Sequence, residues 1–281
     1  HRHNRISALC RELHNPLFLL YKYEKPCIFA TSLAITRPSY WDIGIPTKLV
    51  KFNSPDLERR FGDQFIMPEV IFNGPEGRLE GRFSQSKQAG APIAVILHPL
   101  PQLGGNMNNP IAYQMYHMFL DRGFSVLRFN FRGVGRSQGE FDNGIGELSD
   151  AASALDWLQA LTSDARQCWI AGYSFGAWIG MQLLMRRPEI SGFISVAPPA
   201  NLYDFSFLAP CPASGLIVHG AADKIVPKED IERLVERLQA QKGITIDYDS
   251  IKNANHFFDT DMPALENSLA QYLDRRISEI G

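Results

Sequence analysis

The sequence is poor in cysteine, and this scarcity limits the classes of protein that it can encode. Its 281 residues include only four cysteines, Cys10, Cys27, Cys168 and Cys211. No two of them form a C-x-x-C pair, and their spacings match neither a zinc site nor a disulfide framework. Cys168 lies in an apolar run and is interpreted as a small buried hydrophobic residue. We therefore expect no metal site and a reducing, cytoplasmic setting.

Long apolar runs and a strong net charge are also missing. No stretch of 18 or more apolar residues occurs, so the sequence predicts no membrane-spanning helix. The apolar segment PLFLL at residues 16–20 is too short for the core of a signal peptide, and it lacks a good cleavage pattern. The formal net charge is only -2, so no bulk field favours nucleic acid or an anionic membrane.

The apolar pattern of the chain changes near Met67. Residues 1–66 show isolated apolar pieces without the sustained periodicity of a helix or a strand. We interpret them as an appended N-terminal segment that is either poorly ordered or not native, Met67 being the true start in the second case. An irregular arm packed on the domain is the alternative. Residues 67–281 are predicted to form one domain, within the size of a large α/β unit.

From Met67 onward, apolar segments typical of strands alternate with segments typical of helices. Residues 69–73 and 79–83 predict a hairpin, because the turn sequence Gly-Pro-Glu-Gly lies between them. Further strands are predicted at 92–98, 124–131, 167–173, 190–197, 214–219 and 244–251, and helices at 110–122, 144–161, 175–187, 228–241 and 263–278. This alternation predicts an α/β fold with a doubly wound, mostly parallel sheet and helices on both faces. Ligands then bind at the carboxyl ends of the strands.

One short motif at such a strand end predicts a nucleophile. Residues 172–176, Gly-Tyr-Ser-Phe-Gly, match G-x-S-x-G, with a predicted strand running in and a predicted helix running out. Ser174 would then adopt a strained backbone conformation, and the flanking glycines would allow close packing. The alternative is an ordinary serine that caps the following helix.

A serine nucleophile needs a base and an acid, which should follow it in the order acid, then histidine. Only His219 and His256 follow Ser174, and Asp223 comes four residues after His219. Asp223 and His256 each lie just beyond a predicted strand, so we predict Asp223 as the acid and His256 as the base. Alternatively, Asp223 caps the turn before Pro227 and His256 is a surface-loop residue. His219 is expected to support the Asp223 loop.

The oxyanion formed during acyl transfer needs two backbone N–H donors. One is predicted at Phe175, the residue after the nucleophile, and the other in the loop after the strand at 92–98. That loop begins HPLP, and Pro99 and Pro101 have no N–H, so Leu100 is the predicted second donor. The alternative is a rigid turn with no part in catalysis.

Five segments in this order resemble the α/β-hydrolase superfamily: HPLPQLGGNMNN, FNFRGVGRSQGEFD, AGYSFGAW, HGAADKIVP and NANHFFD. More narrowly, they are similar to small, capless bacterial hydrolases related to dienelactone hydrolase-like and serine-peptidase-like members. The resemblance covers residues 67–281 and implies Ser174, Asp223 and His256 as the triad, with Leu100 and Phe175 as oxyanion donors.

Two departures from the narrower group limit what the resemblance implies. The group often has H-P-H-P where this chain has Leu100 at the second histidine, so any substrate contact of that side chain is absent here. Dienelactone hydrolase itself uses a cysteine nucleophile. Ser174 in the corresponding motif therefore argues against that specific activity.

Two further segments are expected to lie beside the predicted catalytic residues. Residues 132–139, RGVGRSQG, match no nucleotide-binding motif and predict a tight turn, although Arg132 or Arg136 could bind a carboxylate. The connection at residues 198–213 is too short for a cap domain. Its aromatic residues, Tyr203, Phe205 and Phe207, either line an open apolar cleft or pack beneath the loop.

Together these features predict a serine hydrolase that cleaves a small carboxylic ester or related acyl bond through an acyl-enzyme, without a cofactor. The expected partner is a small acyl substrate, with no nucleic acid and no membrane. A peptidase or amidase with the same triad is the first alternative, and a non-catalytic binding protein on this fold is the second.

Overall fold

The computed structural model describes residues 69–280, and the predictions for residues 1–66 and for Met67 lie outside them. The strands are β1 Glu69–Gly74, β2 Gly77–Ser84, β3 Ile93–Leu97, β4 Ser125–Phe129, β5 Cys168–Tyr173, β6 Ile190–Val196, β7 Gly215–Gly220 and β8 Ile246–Ile251. The helices are α1 Pro110–Leu120, α2 Ile145–Leu161, α3 Phe175–Leu184, α4 Lys228–Gln239 and α5 Met262–Ile280.

These strands form one eight-stranded sheet in the order β1-β2-β4-β3-β5-β6-β7-β8. The β1–β2 and β2–β4 pairs are antiparallel, and every other pair is parallel. All residues of β3, β4, β5 and β7 are buried, as expected of parallel strands that are covered on both faces. The predicted fold class is therefore confirmed.

Alternate residues of β3 show how the core is divided between the two faces. Val95 and Leu97 pack with apolar residues of α2, α3 and α4, whereas Ala94 and Ile96 pack with those of α1 and α5. Successive side chains of a strand point to opposite faces, so a continuous apolar run supplies both cores. This packing confirms helices on both sides of the sheet.

Several elements are shorter than their apolar patterns predict. Phe124 and Phe131 are buried but flank β4 rather than belonging to it, because they pack in the core without joining the strand ladder. Helix α3 ends at Leu184 instead of continuing to 187, since the residue before Pro188 is disfavoured in helical conformation. An apolar pattern in the sequence indicates which residues are buried. Burial extends beyond the residues whose backbone hydrogen bonds define the helix or strand.

The β6–β7 connection contains neither helix nor strand, and among the described residues no separate cap covers the carboxyl edge of the sheet. Across residues 69–280, every helix is too short or too polar to cross a membrane.

Candidate active site

Ser174 lies at the junction of β5 and α3 in a backbone conformation that non-glycine residues seldom adopt. Its φ is 53° and its ψ is -117°. The surrounding structure holds this conformation on both sides. The Ser174 N–H donates to the carbonyl of Val196 at 2.9 Å, and the Ser174 carbonyl accepts from the N–H of Ala177 at 2.9 Å. The motif therefore forms the sharp strand-to-helix turn that its sequence predicts.

The glycines on either side of Ser174 are required by close backbone contacts. A Cβ on Gly172 would lie 2.3 Å from the Gly176 carbonyl oxygen. A Cβ on Gly176 would lie 2.4 Å from the Leu97 carbonyl oxygen and 2.6 Å from that of His98. Because neither position carries a side chain, the first turn of α3 packs directly against the carboxyl end of β3.

The structure brings Ser174, His256 and Asp223 together in one hydrogen-bonded array. His256 Nε2 lies 3.1 Å from Ser174 Oγ, and His256 Nδ1 lies 2.7 Å from Asp223 Oδ2. The three residues come from three different strand-to-helix loops, which meet because all three follow parallel strands. Asp223 and His256 are both buried.

Hydrogen bonds to Asp223 determine how the array is protonated. Burial acts to raise the pKa of this carboxyl, but the His256 hydrogen bond and two backbone N–H groups hold the pKa below its usual range. The Ile225 and Val226 N–H groups donate to Oδ1 at 2.8 and 2.9 Å. Asp223 is thus a carboxylate that accepts a hydrogen bond from the Nδ1–H group of His256. The Nε2 lone pair of His256 then faces the hydroxyl of Ser174.

Tyr173 anchors the loop that carries His256. Its hydroxyl donates to the His256 carbonyl at 2.9 Å, and burial raises the pKa of Tyr173, so the group remains a neutral donor. Phe257 packs edge-on to the His256 ring at 5.5 Å and is 53% exposed. The sequence motifs predict a role for neither residue. The one available signal was that Tyr173 occupies the variable position before Ser174.

His219 lies close to the array but outside its hydrogen bonds. Its Nδ1 is 3.8 Å from Asp223 Oδ2, beyond hydrogen-bonding distance. Burial lowers the pKa of His219, so the ring is neutral at neutral pH. This placement beneath the Asp223 loop agrees with the supporting position expected from the sequence.

The two predicted oxyanion donors belong to adjoining elements. Leu100 lies in the loop between β3 and α1, three residues after β3 ends at Leu97, and Phe175 is the first residue of α3, which packs against the end of β3. The Leu100 carbonyl accepts from the N–H of Gly105 at 3.0 Å, which closes the loop on itself. Among the described residues, no protein oxygen accepts a hydrogen bond from the N–H of Leu100 or Phe175.

The loop after β4 forms the expected tight turn, with Gly133 and Gly135 at φ 72° and 58°. Arg132 does bind a carboxylate, but it is that of Asp150 on α2. The Arg132 Nε and Nη2 atoms lie 3.0 and 2.8 Å from the two oxygens of Asp150, and both side chains are buried. Arg136 pairs with Glu69 on β1. Both guanidinium groups therefore have partners within the protein, which the sequence did not reveal.

The aromatic residues of the β6–β7 connection have different environments. Phe205 is buried and packs into the core, as one of the two alternatives predicted. Tyr203 stacks on Trp178 of α3, with ring centroids 4.2 Å apart, and contacts Phe175 edge-on at 6.0 Å. Tyr203 and Trp178 are half-buried, so part of each ring is accessible.

No group of three His, Cys, Asp or Glu residues within 69–280 is arranged to hold a metal ion.

Comparisons with known proteins agree with this architecture. The family model for X-Pro dipeptidyl-peptidases of the S15 family matches residues 85–209. The chain is 64% identical to an α/β hydrolase of unknown function from Agrobacterium tumefaciens, with a TM-score of 0.75, over 75% of this chain and 97% of that one. It is 31% identical to an α/β serine hydrolase homologue from Coxiella burnetii, with a TM-score of 0.66, over 75% of this chain and 100% of that one.

A third structure bears on the absence of a cap. An α/β serine hydrolase without a lid from Xanthomonas campestris is 29% identical, with a TM-score of 0.66, over 76% of this chain and 96% of that one. The sheet order, the sharp strand-to-helix turn at Ser174 and these similarities together lead to one conclusion. The chain belongs to the α/β-hydrolase superfamily, among its lidless members, and is a hydrolase.

Proposed function

We propose that this hydrolase cleaves a small carboxylic ester or a related acyl bond through a Ser-His-Asp triad. The observation that carries the proposal is the continuous hydrogen-bonded array from Ser174 Oγ through His256 to the Asp223 carboxylate. A serine hydroxyl is a weak nucleophile at neutral pH, and this arrangement supplies the base that it needs.

Each step of acyl transfer has a residue to perform it. Ser174 Oγ attacks the carbonyl carbon while His256 Nε2 takes the hydroxyl proton, and the Asp223 carboxylate stabilises the imidazolium that forms. The Leu100 and Phe175 N–H groups donate to the oxyanion of the tetrahedral intermediate. His256 then gives its proton to the leaving oxygen. Water attacks the acyl-enzyme while His256 takes its proton, and His256 returns that proton to Ser174 Oγ as the acid leaves. The cycle therefore returns every proton and needs no cofactor.

The open shape of the carboxyl edge of the sheet supports a small ester as the substrate. The β6–β7 connection leaves the carboxyl edge without a cap among the described residues, so this part of the chain provides no deep tunnel for a long chain. Accessible aromatic surface of Trp178, Tyr203 and Phe257 suits an apolar acyl or alcohol group. We expect p-nitrophenyl esters with short acyl chains to be better substrates than long-chain esters. A steady rise in kcat/KM with chain length would contradict this expectation.

A fluorophosphonate probe tests the nucleophile directly. The wild-type enzyme and a Ser206→Ala control, altered at an exposed loop serine, should both be labelled. Ser174→Ala should not be labelled, because the attacking oxygen is gone. Failure of the folded wild-type protein to react would contradict a catalytic triad and favour a non-catalytic binding protein.

A peptidase or amidase is the second candidate, favoured by the match to the S15 peptidase family over residues 85–209. The same triad can attack either bond, but an amide has a poorer leaving group and needs tighter positioning. Hydrolysis of p-nitrophenyl acetate and of an X-Pro anilide should be measured on the same preparation. A higher kcat/KM for the anilide would reject the ester assignment and support the peptidase.

A further inference from the structure

His98 is a fully buried histidine at the carboxyl end of β3, and the reaction described above gives it no part. Its Nδ1 lies 2.7 Å from the carbonyl oxygen of Pro99, and its Nε2 lies 3.1 Å from the backbone nitrogen of Phe131. The ring also packs on the Phe131 ring, with centroids 4.7 Å apart. Both ring nitrogens are therefore engaged with the backbone of two segments.

These contacts fix a single tautomer. The Phe131 N–H can only donate, so Nε2 must be the unprotonated nitrogen that accepts from it. The ring proton is then on Nδ1 and is donated to the Pro99 carbonyl. Burial lowers the pKa of His98 to about 4, so the ring remains neutral near neutral pH. A protonated ring would lose its acceptor for Phe131.

The Pro99 carbonyl belongs to the same peptide unit as the Leu100 N–H. The bond between them is trans, so the carbonyl and the N–H point in opposite directions in one plane. Holding the oxygen therefore sets the direction of the N–H. Gly105 confines the same oxygen from another side, because a Cβ on Gly105 would lie 2.1 Å from it. Donation to the carbonyl also polarises the peptide and strengthens its N–H as a donor.

We propose that His98 is a positioning residue that orients the Pro99–Leu100 peptide so that the Leu100 N–H faces the oxyanion. This inference rests on the proposed function, since it assigns a role within the same reaction. His98 does not touch the substrate; it acts through a peptide that does. The competing explanation is a purely structural tether, in which His98 only joins the end of β3 to Phe131.

Two substitutions separate these explanations, because they preserve different halves of the imidazole. His98→Asn places an amide nitrogen near the position of Nδ1 and keeps the donor to Pro99. His98→Gln places an amide oxygen near the position of Nε2 and keeps the acceptor for Phe131. For both variants, kcat and KM are measured with p-nitrophenyl acetate, and crystal structures give the orientation of the Pro99–Leu100 peptide.

If His98 orients the peptide, His98→Asn keeps most of the wild-type kcat and the wild-type peptide orientation. His98→Gln loses kcat on the order of 100-fold, as for loss of one oxyanion donor, with KM little changed. The affinity for phenylboronic acid, whose adduct with Ser174 is tetrahedral, falls in parallel. The opposite ranking of the variants, or a His98→Gln enzyme with wild-type kcat, overturns the proposal.

Gly105→Ala gives a second test that leaves His98 in place, in case the buried histidine variants do not fold. Its new Cβ would displace the Pro99 oxygen, so the same loss of kcat without a large change in KM is expected. Unchanged kcat in this variant overturns the proposal. The outcome is distinguishable from failure of the proposed function: a wild-type enzyme that the fluorophosphonate cannot label contradicts the triad itself, not merely the role of His98.

Discussion

Asp223 holds the imidazole of His256 in the tautomer that the proposed reaction requires. Its Oδ2 accepts from Nδ1 at 2.7 Å, and its Oδ1 is occupied by two backbone N–H groups. In Asp223→Asn, the amide can donate to Nδ1 and so favour the tautomer with its proton on Nε2. Nε2 could then no longer accept from Ser174.

We expect Asp223→Asn to lower kcat by about 10⁴-fold while the protein stays folded, the effect seen when a triad acid is replaced in this way. Hydrolysis of p-nitrophenyl acetate measures kcat, and circular dichroism checks the fold. Asp121→Asn, altered at an exposed residue after α1, is the matched control and should retain activity. Equal rates for the two variants would argue against Asp223 as the triad acid.

Gly176 lacks the side chain that would prevent α3 from packing against the end of β3. Its Cβ would lie 2.4 Å from the Leu97 carbonyl oxygen, whereas a Cβ on Gly180 of the same helix would meet nothing closer than an Ile170 side-chain carbon at 3.3 Å. We expect Gly176→Ala to destabilise the protein by about 1–3 kcal/mol, as for overpacking, and to reduce activity. Gly180→Ala should change stability by no more than about 1 kcal/mol. Urea unfolding measures the free energy of unfolding of both variants. Equal stability of the two variants would contradict the prediction.

At the scale of elements, the buried Arg132–Asp150 pair ties the loop after β4 to helix α2. The Arg132 backbone N–H also donates to Asp150 Oδ2 at 3.0 Å, so one carboxylate serves three donors. Removing a single partner leaves an uncompensated buried charge. The loop borders the carboxyl edge of the sheet, so the pair shapes the surroundings of Ser174 without taking part in the reaction.

Asp150→Leu is therefore expected to lower the free energy of unfolding by about 3–5 kcal/mol. The double variant Arg132→Met, Asp150→Leu removes both charges and should recover a large part of that loss. Urea denaturation at neutral pH measures both. A double variant less stable than Asp150→Leu alone would show that the guanidinium contributes through packing rather than through its charge pair.

At the scale of the whole molecule, buried histidines make stability depend on pH. The pKa of His98 falls from 6.5 to about 4 on folding because burial penalises the charged ring, and the pKa of His219 is lowered for the same reason. Below pH 6.5, the unfolded chain binds protons that the native protein does not, so stability falls as pH is lowered towards 4. The lowered pKa of Asp223 acts only below its unfolded value of 3.8, outside this window.

We expect the His98 contribution alone to reduce the free energy of unfolding by about 3 kcal/mol between these limits. Urea unfolding at pH 7 and pH 4.5 measures the slope. His98→Asn carries no titrating group at this position and should show a shallower dependence than the wild type. Identical slopes for the two proteins would contradict a neutral, buried His98.

The local pattern of the sequence was sufficient for the elements and for the candidate site residues. Strands buried on both faces appear as continuous apolar runs, and a serine between two glycines at a strand-to-helix junction is a local signal. The chain order of Ser174, Asp223 and His256 placed them at carboxyl ends of parallel strands, which share one edge. Element ends were less certain, because apolar residues such as Phe131 stay buried beyond the ladder.

Only the tertiary structure decided which polar atoms meet across long separations of sequence. Tyr173 donates to the carbonyl of His256, 83 residues away, and Arg132 forms an ion pair with Asp150. His98 hydrogen-bonds both the Pro99 carbonyl and the Phe131 N–H. None of these pairings has a periodic or spaced signature, because each depends on how loops from different strands fold over the same edge. The sequence thus determined the fold and the order of the candidate triad, and the packing of loops determined how its members and the Leu100 N–H are oriented.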